Sequence, residues 1–233
     1  MTPERSHNHY GLIATVLVLA AAPAVAHDLS LANARFVEAI SGPSPIPFLY
    51  LGAKHMVTGF DHILFLVGVV FFLQRPKDVV VYVSLFTLGH SLTLLGGVWF
   101  EVSANAYLVD AVIGLSVVYK AFENIGGFDR MTDRKLDMRW AVFAFGLVHG
   151  LGLSGKLQDL VHSPDGLLIN LVSFNLGVEI GQVLVLVPVV ILLNAWRAVP
   201  NFVAQAAVAN LALMTGGFVL IGMHLFGWVW SDV

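Results

Sequence analysis

The chain has 233 residues, of which 58% are hydrophobic and 12% charged, with a mean hydropathy of +0.82. Soluble domains carry about 25% charged residues, so an ordinary soluble globule is excluded, as is a disordered chain, which needs the opposite balance. A net charge of −3 gives no basic footprint for nucleic acid, and the lack of cysteine excludes disulfides, thiolate metal sites and cysteine nucleophiles.

The chain opens with Arg5 in a polar head, then the apolar run 11–22, then the small-residue ending Pro23, Ala24, Val25, Ala26. This is the pattern of a secretory signal cleaved after Ala26, which makes residues 1–26 a signal peptide. Residues 27–47, with Pro43, Pro45 and Pro47, read as a short periplasmic lead-in. Six longer apolar stretches follow, at 52–73, 78–100, 105–125, 138–157, 167–193 and 204–230. Each is near or above the roughly 20 residues that a helix needs to cross hydrocarbon. None alternates at period 2 as a barrel strand would. The predicted fold is therefore all-α: a polytopic membrane helix bundle with six transmembrane helices in residues 48–233, after a cleavable signal peptide.

Basic residues set the orientation. With the mature N-terminus outside, the cytoplasmic loops hold Arg75, Lys77, Arg130, Arg134, Lys135, Arg139 and Arg197, against Arg35, Lys54 and Lys156 outside. The bias obeys the positive-inside rule and agrees with the signal peptide. The expected location is a bacterial inner (cytoplasmic) membrane with a periplasmic mature N-terminus.

Ionisable groups within apolar spans are costly and usually face the bundle interior. The first stretch carries His55, Asp61 and His62, the second His90 beside Thr87, Ser91 and Thr93, and the fourth His149. The fifth carries Asn175, Glu179 and Gln182, spaced as one stripe of a helix. His62, His90, His149 and Glu179 all fall near the midpoints of their stretches. Four helices thus bring one potential ligand each to the same depth. Three imidazoles and a carboxylate suit Ni²⁺, Co²⁺, Zn²⁺ or Fe²⁺. His55 lies seven residues before His62, about 10 Å along a straight helix. The two then form successive stations, or else a bend at Gly59 brings them together. Asp61 either orients an imidazole or binds the ion itself. Lys120, Glu123 and Asn124 near the end of the third stretch read as a structural ion pair with snorkelling. Asp110 lies near its outer end. His27, His162 and His224 could form a loose outer collecting surface.

The residues His55-Met56-Val57-Thr58-Gly59-Phe60-Asp61-His62 have the form H-x5-D-H, and further runs place His90, His149 and Glu179 in order at 86–93, 145–150 and 174–182. In these the chain resembles the HupE/UreJ family, the membrane accessory proteins of hydrogenases and ureases, and its broader second branch in particular. The resemblance implies a nickel permease with several transmembrane helices and a cleaved signal. It carries the family's first motif onto His55, Asp61 and His62, and a later histidine motif onto His149.

The expected function is a divalent transition-metal permease, nickel or cobalt favoured, with a metal site of His55, Asp61, His62, His90, His149 and Glu179. No residue is expected to be catalytic, and no phosphate-binding loop for ATP is present. The alternatives are an intramembrane metalloenzyme and an accessory scaffold for metalloenzyme assembly. The expected partners are the lipid bilayer and the metal ion, with a homo-oligomer or metalloenzyme maturation proteins beyond them, and no nucleic acid.

Overall fold

The computed structural model describes residues 42–102, 104–131, 137–158 and 165–231. The signal segment, the lead-in up to residue 41, His27, His162 and the basic residues Arg35, Arg134 and Lys135 lie outside the described residues. Eight helices are described, and no strand among those residues: α1 Pro45–Thr58, α2 Phe60–Val70, α3 Pro76–Trp99, α4 Ala106–Asn124, α5 Gly127–Met131, α6 Met138–Gln158, α7 Leu167–Arg197 and α8 Phe202–Trp230.

Their ends follow local chemistry. Pro45 and Pro76 sit in the first turns of α1 and α3, where a missing N–H costs nothing and the fixed φ suits a helix. Asn105 caps α4 by accepting from Leu108 N at 3.2 Å, and Asp137 accepts from Arg139 N at 3.0 Å at the start of α6. Before α7, Gly166 takes φ +75° against the backbone of Pro43, a conformation that favours glycine.

All six predicted apolar stretches are helical, but among the described residues only some of the helices have the length and apolar composition of a membrane span. By length and apolar composition α3, α7 and α8 could cross a membrane, and α1 with α2 makes a fourth if the bent pair counts as one span. The first stretch is not a continuous helix. It breaks at Gly59, where α1 and α2 meet at 66°, and α2 has only 11 residues, about 16 Å or half the hydrocarbon. The helices α4 and α6 are 19 and 21 residues long. The first carries Asp110, Lys120 and Glu123, and the second is diluted by Arg139, His149, Ser154 and its glycines. A helix packed within a bundle need not be apolar all round, which is why these two depart from the pattern of a lipid-facing span.

The helices associate as three pairs, α1 with α7, α3 with α6 and α4 with α8, around the short α2, which touches members of all three. Each pair closes through glycine. A Cβ on Gly52 would meet the Phe174 carbonyl and one on Gly177 the Leu49 carbonyl; Gly89 and Gly146 face the Phe143 and Phe86 carbonyls; Gly114 and Gly217 face each other's carbonyls. In lipid, where the hydrophobic effect does not drive helices together, such close backbone approach is the main source of packing energy.

The far end of α2 is tied from outside. A helix leaves its last four carbonyls unpaired. Here Asn124 Nδ2 donates to Gly68 O at 2.9 Å, and Arg197 Nη2 donates to Val70 O at 3.0 Å and Phe71 O at 2.6 Å. Phe71 stands against Trp196 and Phe202, with ring centroids 5.8 and 6.4 Å away.

Two outcomes test this packing. Gly146→Ala should destabilise the purified protein by about 1–3 kcal/mol, the usual cost of overpacking, while Gly216→Ala, which has nothing within 4 Å of its new methyl, should be neutral or slightly stabilising. Thermal unfolding in detergent compares them. Arg197→Ala should cost about 2 kcal/mol by uncapping α2, and Arg197→Lys should recover only part of that, since a single ammonium would have to replace both the Nη2 that reaches the two carbonyls and the Nη1 that is held by Asn194 Oδ1.

Candidate functional site

The break at Gly59 builds the site. Gly59 is extended, with φ −75° and ψ 91°, and its N–H closes the last turn of α1 on His55 O at 2.8 Å. The chain then turns into α2, whose first turn holds Asp61 and His62. Instead of standing about two turns apart as on a straight helix, the His55 and His62 rings lie 5.0 Å apart between centroids. Of the two arrangements open from the sequence, the structure adopts the bend.

Two further helices deliver imidazoles to the same point. The His62 ring lies 4.8 Å from that of His149 on α6 and 5.8 Å from that of His90 on α3. His62, His90 and His149 are fully buried and His55 and Asp61 are 7% exposed. The wall is aromatic. Phe86 lies 5.0 Å from His149, Phe65 lies 5.4 Å from His149, and Phe174 lies 6.0 Å from His55. These rings exclude water and lower the local dielectric, which strengthens any charge interaction at the site.

The hydrogen bonds fix two tautomers. Carboxylate and carbonyl oxygens only accept, so His149 Nδ1 donates to Phe145 O at 2.7 Å and His62 Nδ1 donates to Asp61 Oδ1 at 3.1 Å. In both rings the lone pair is thereby assigned to Nε2. The His149 Nε2 is buried and has no hydrogen-bond partner among the described residues. A buried ring nitrogen left this way is costly unless something binds it. An Nδ1–H held by a carboxylate or carbonyl, with Nε2 left to coordinate, is how proteins orient histidine ligands.

The spacing suits a shared ion in part. With metal–nitrogen bonds of about 2.1 Å and tetrahedral angles, two imidazole centroids on one ion stand about 5 Å apart. The His62 ring meets that with His149 and His55, at 4.8 and 5.0 Å, and approaches it with His90 at 5.8 Å. Among the described residues, however, no three His, Asp or Glu side chains stand ready to hold an ion as they are. The cluster is a set of adjacent donors centred on His62, and not a preformed cage.

Helix ends also bear on charge. His55 lies in the last turn of α1, whose end is partly negative, and Asp61 in the first turn of α2, whose end is partly positive. The carboxylate of Asp61 offsets the one dipole end that would repel a cation.

Glu179 is not part of this cluster. It is exposed on α7, while its neighbours on the stripe turn inward: Asn175 Oδ1 accepts from Ser91 Oγ at 2.9 Å and Gln182 Oε1 accepts from Thr87 Oγ1 at 2.7 Å. At 100° per residue Glu179 lies about 60° around the helix from Gln182, enough to carry it out of the α3–α7 seam. His224 Nδ1 stands 3.8 Å from Asp110 Oδ2 where α8 packs on α4; the two histidines expected to join His224 at an outer surface, His27 and His162, lie outside the described residues. Lys120 is buried rather than snorkelled, donating to Glu123 and, at 2.9 Å, to Asn124 Oδ1. The sequence reading missed the aromatic wall and the Arg197 cap. The regular offset of Phe86 and Phe145 four residues before His90 and His149 was the available signal for the former.

The chain matches the family described as HupE / UreJ protein over residues 31–232. No curated protein and no solved structure matches it. The family match spans most of the chain and takes in every helix that builds the histidine cluster, and on that ground the protein is a membrane protein of the HupE/UreJ family.

Proposed function

We propose that the protein is a permease for a divalent transition-metal cation, nickel or cobalt favoured, and that His55, His62, His90 and His149 bind the ion in transit with Asp61 holding His62 in place. The family is associated with nickel or cobalt transport and metalloenzyme maturation. The observation that carries the reading is the buried His149 Nε2 beside the His62 ring, both rings with Nδ1 engaged. Neutral imidazoles suit Ni²⁺ and Co²⁺. Ligands that must gather from separate helices give a site that can also release its ion, which conduction requires.

The steps follow from the side chains. A dication loses water as it reaches His55 at the end of α1, meets the His62 and His149 nitrogens, and is balanced by Asp61. With the orientation expected from the basic residues, an inside-negative potential of 100 mV drives it inward by about 4.6 kcal/mol, twice the value for one charge. No nucleotide is needed. Glu179, on the outer face of α7, is left out of this site.

Uptake of Ni²⁺ or Co²⁺ into sealed proteoliposomes with an inside-negative potential tests the proposal. The full chain should show potential-dependent uptake. His62→Ala and His149→Ala should each reduce it at least tenfold, and Asp61→Asn should weaken metal binding by about 10–100-fold, as loss of a ligand-orienting partner does. Tightly retained, stoichiometric metal without flux would establish an enzyme instead, and neither binding nor flux would leave a scaffold.

A further inference from the structure

At the opposite end of α2 from His62 lies a cavity of about 530 Å³, open on one side. Its polar lining comes from Lys120, Glu123 and Asn124 on α4, Tyr82 on α3, and Asp137 and Arg139 at the start of α6. Val69, Phe72 and Leu73 form its apolar wall. Val69 is seven residues from His62, about 10 Å along α2, and the buried Phe65 and Leu66 fill the interval. One short helix thus carries the histidine cluster at its start and the wall of a polar chamber at its end, with an apolar plug between.

We infer that this cavity is a second binding site, for a hydrated divalent cation, with the Glu123 carboxylate as its principal ligand and Lys120 as a built-in competitor that keeps the binding weak. The size fits. At about 30 Å³ per water, 530 Å³ has room for an ion with six waters and its surrounding solvent. The donors are oxygens, which suit a hydrated, hard cation better than imidazole does. The accessible charge fits as well. The Glu123 side chain keeps 33% of its surface exposed while that of Lys120 keeps 9%, so an ion in the chamber reaches the carboxylate before it reaches the ammonium. Asp137 is partly occupied as the start of α6, while Glu123 keeps a third of its side chain open to the chamber despite its pairing with Lys120, which makes Glu123 the acid best placed to answer an incoming charge.

The Lys120–Glu123 pair sets the strength. Lys120 Nζ is held by both Glu123 and Asn124, and Asn124 Nδ2 reaches on to Gly68 O and, at 2.8 Å, to Asn210 Oδ1. An ion that draws on Glu123 must compete with an ammonium anchored to α2 and α8, so it binds loosely and leaves readily, as a site along a conduction route requires. The inference deepens the proposed transport by naming where the cation stands after the histidines; its biological role rests on that reading, but its binding chemistry does not.

Mn²⁺, which favours oxygen ligands, is the probe, and its free-ion electron paramagnetic resonance signal in the presence of the reconstituted full chain is the readout. Weak Mn²⁺ binding should persist in His62→Ala, fall about tenfold or more in Glu123→Gln, and return in Glu123→Asp, since affinity in such sites follows ligand charge. Recovery in Glu123→Asp separates ligand loss from misfolding. Lys120→Met should tighten the site several-fold. The proposal is overturned if the wild type binds no Mn²⁺, if Glu123→Gln binds as the wild type does, or if the cavity instead takes inorganic phosphate in a manner lost in Lys120→Met. If proteoliposomes take up no nickel or cobalt, the transport reading fails, while the Mn²⁺ result still decides the cavity.

Discussion

A helix interrupted inside a bilayer leaves backbone groups that only the protein can satisfy. The break at Gly59 divides two helices that qualify together as one bent membrane span, and both ends of the short helix it leaves, α2, are met by side chains. The carbonyls at the end of α2 are taken by Asn124 from α4 and Arg197 from α7. At the start of α2 the exposed dipole end is met by Asp61. A continuous helix would have ended at Val70 and needed those caps all the same, but it would not have opened a helix start at Asp61, and it would have kept His55 and His62 apart.

From that break the rest of the site follows. Because α2 is too short to span hydrocarbon, it is suspended among three helix pairs rather than pressed against lipid, and its first turn points His62 into the space that α1, α3 and α6 share. The pairs can bring imidazoles so close because glycine lets their backbones touch: Gly89, Gly146 and Gly150 line the α3–α6 contact on which His90 and His149 ride. A discontinuous helix with its ends at the site is a recurrent arrangement in transporters, where unpaired helix termini supply charge at mid-membrane depth. In the proposed permease the histidines would supply the ligands, with Asp61 orienting His62, while the helix ends tune their field.

Much of this was legible in the sequence, and the limits have physical causes. Helical hydropathy marked every long helix to within a few residues, since an apolar run of that length has few other folds open to it. The number of spans was not legible, because α4 and α6 are helices whose polar residues are absorbed by packing, and composition alone does not say what a helix packs against. Depth along a helix was legible for His62, His90 and His149, each near the middle of its stretch. Direction around the helix was not, and so Glu179, at comparable depth, was grouped with them although it faces outward. The H-x5-D-H run carried both possibilities for His55, and only the backbone at Gly59 decides between them. The ties of Arg197 and Asn124 to α2 join positions far apart in the chain, and nothing local in the sequence announces them.

The central claim is that imidazoles from α1, α2, α3 and α6 gather on one ion. X-ray absorption at the nickel edge, on the full chain loaded with Ni²⁺ in lipid nanodiscs, counts them directly through the outer-shell scattering of imidazole rings. The account predicts at least three histidine ligands in the wild type and one fewer in His149→Ala. A spectrum of oxygen ligands alone, or one that His149→Ala leaves unchanged, would contradict it.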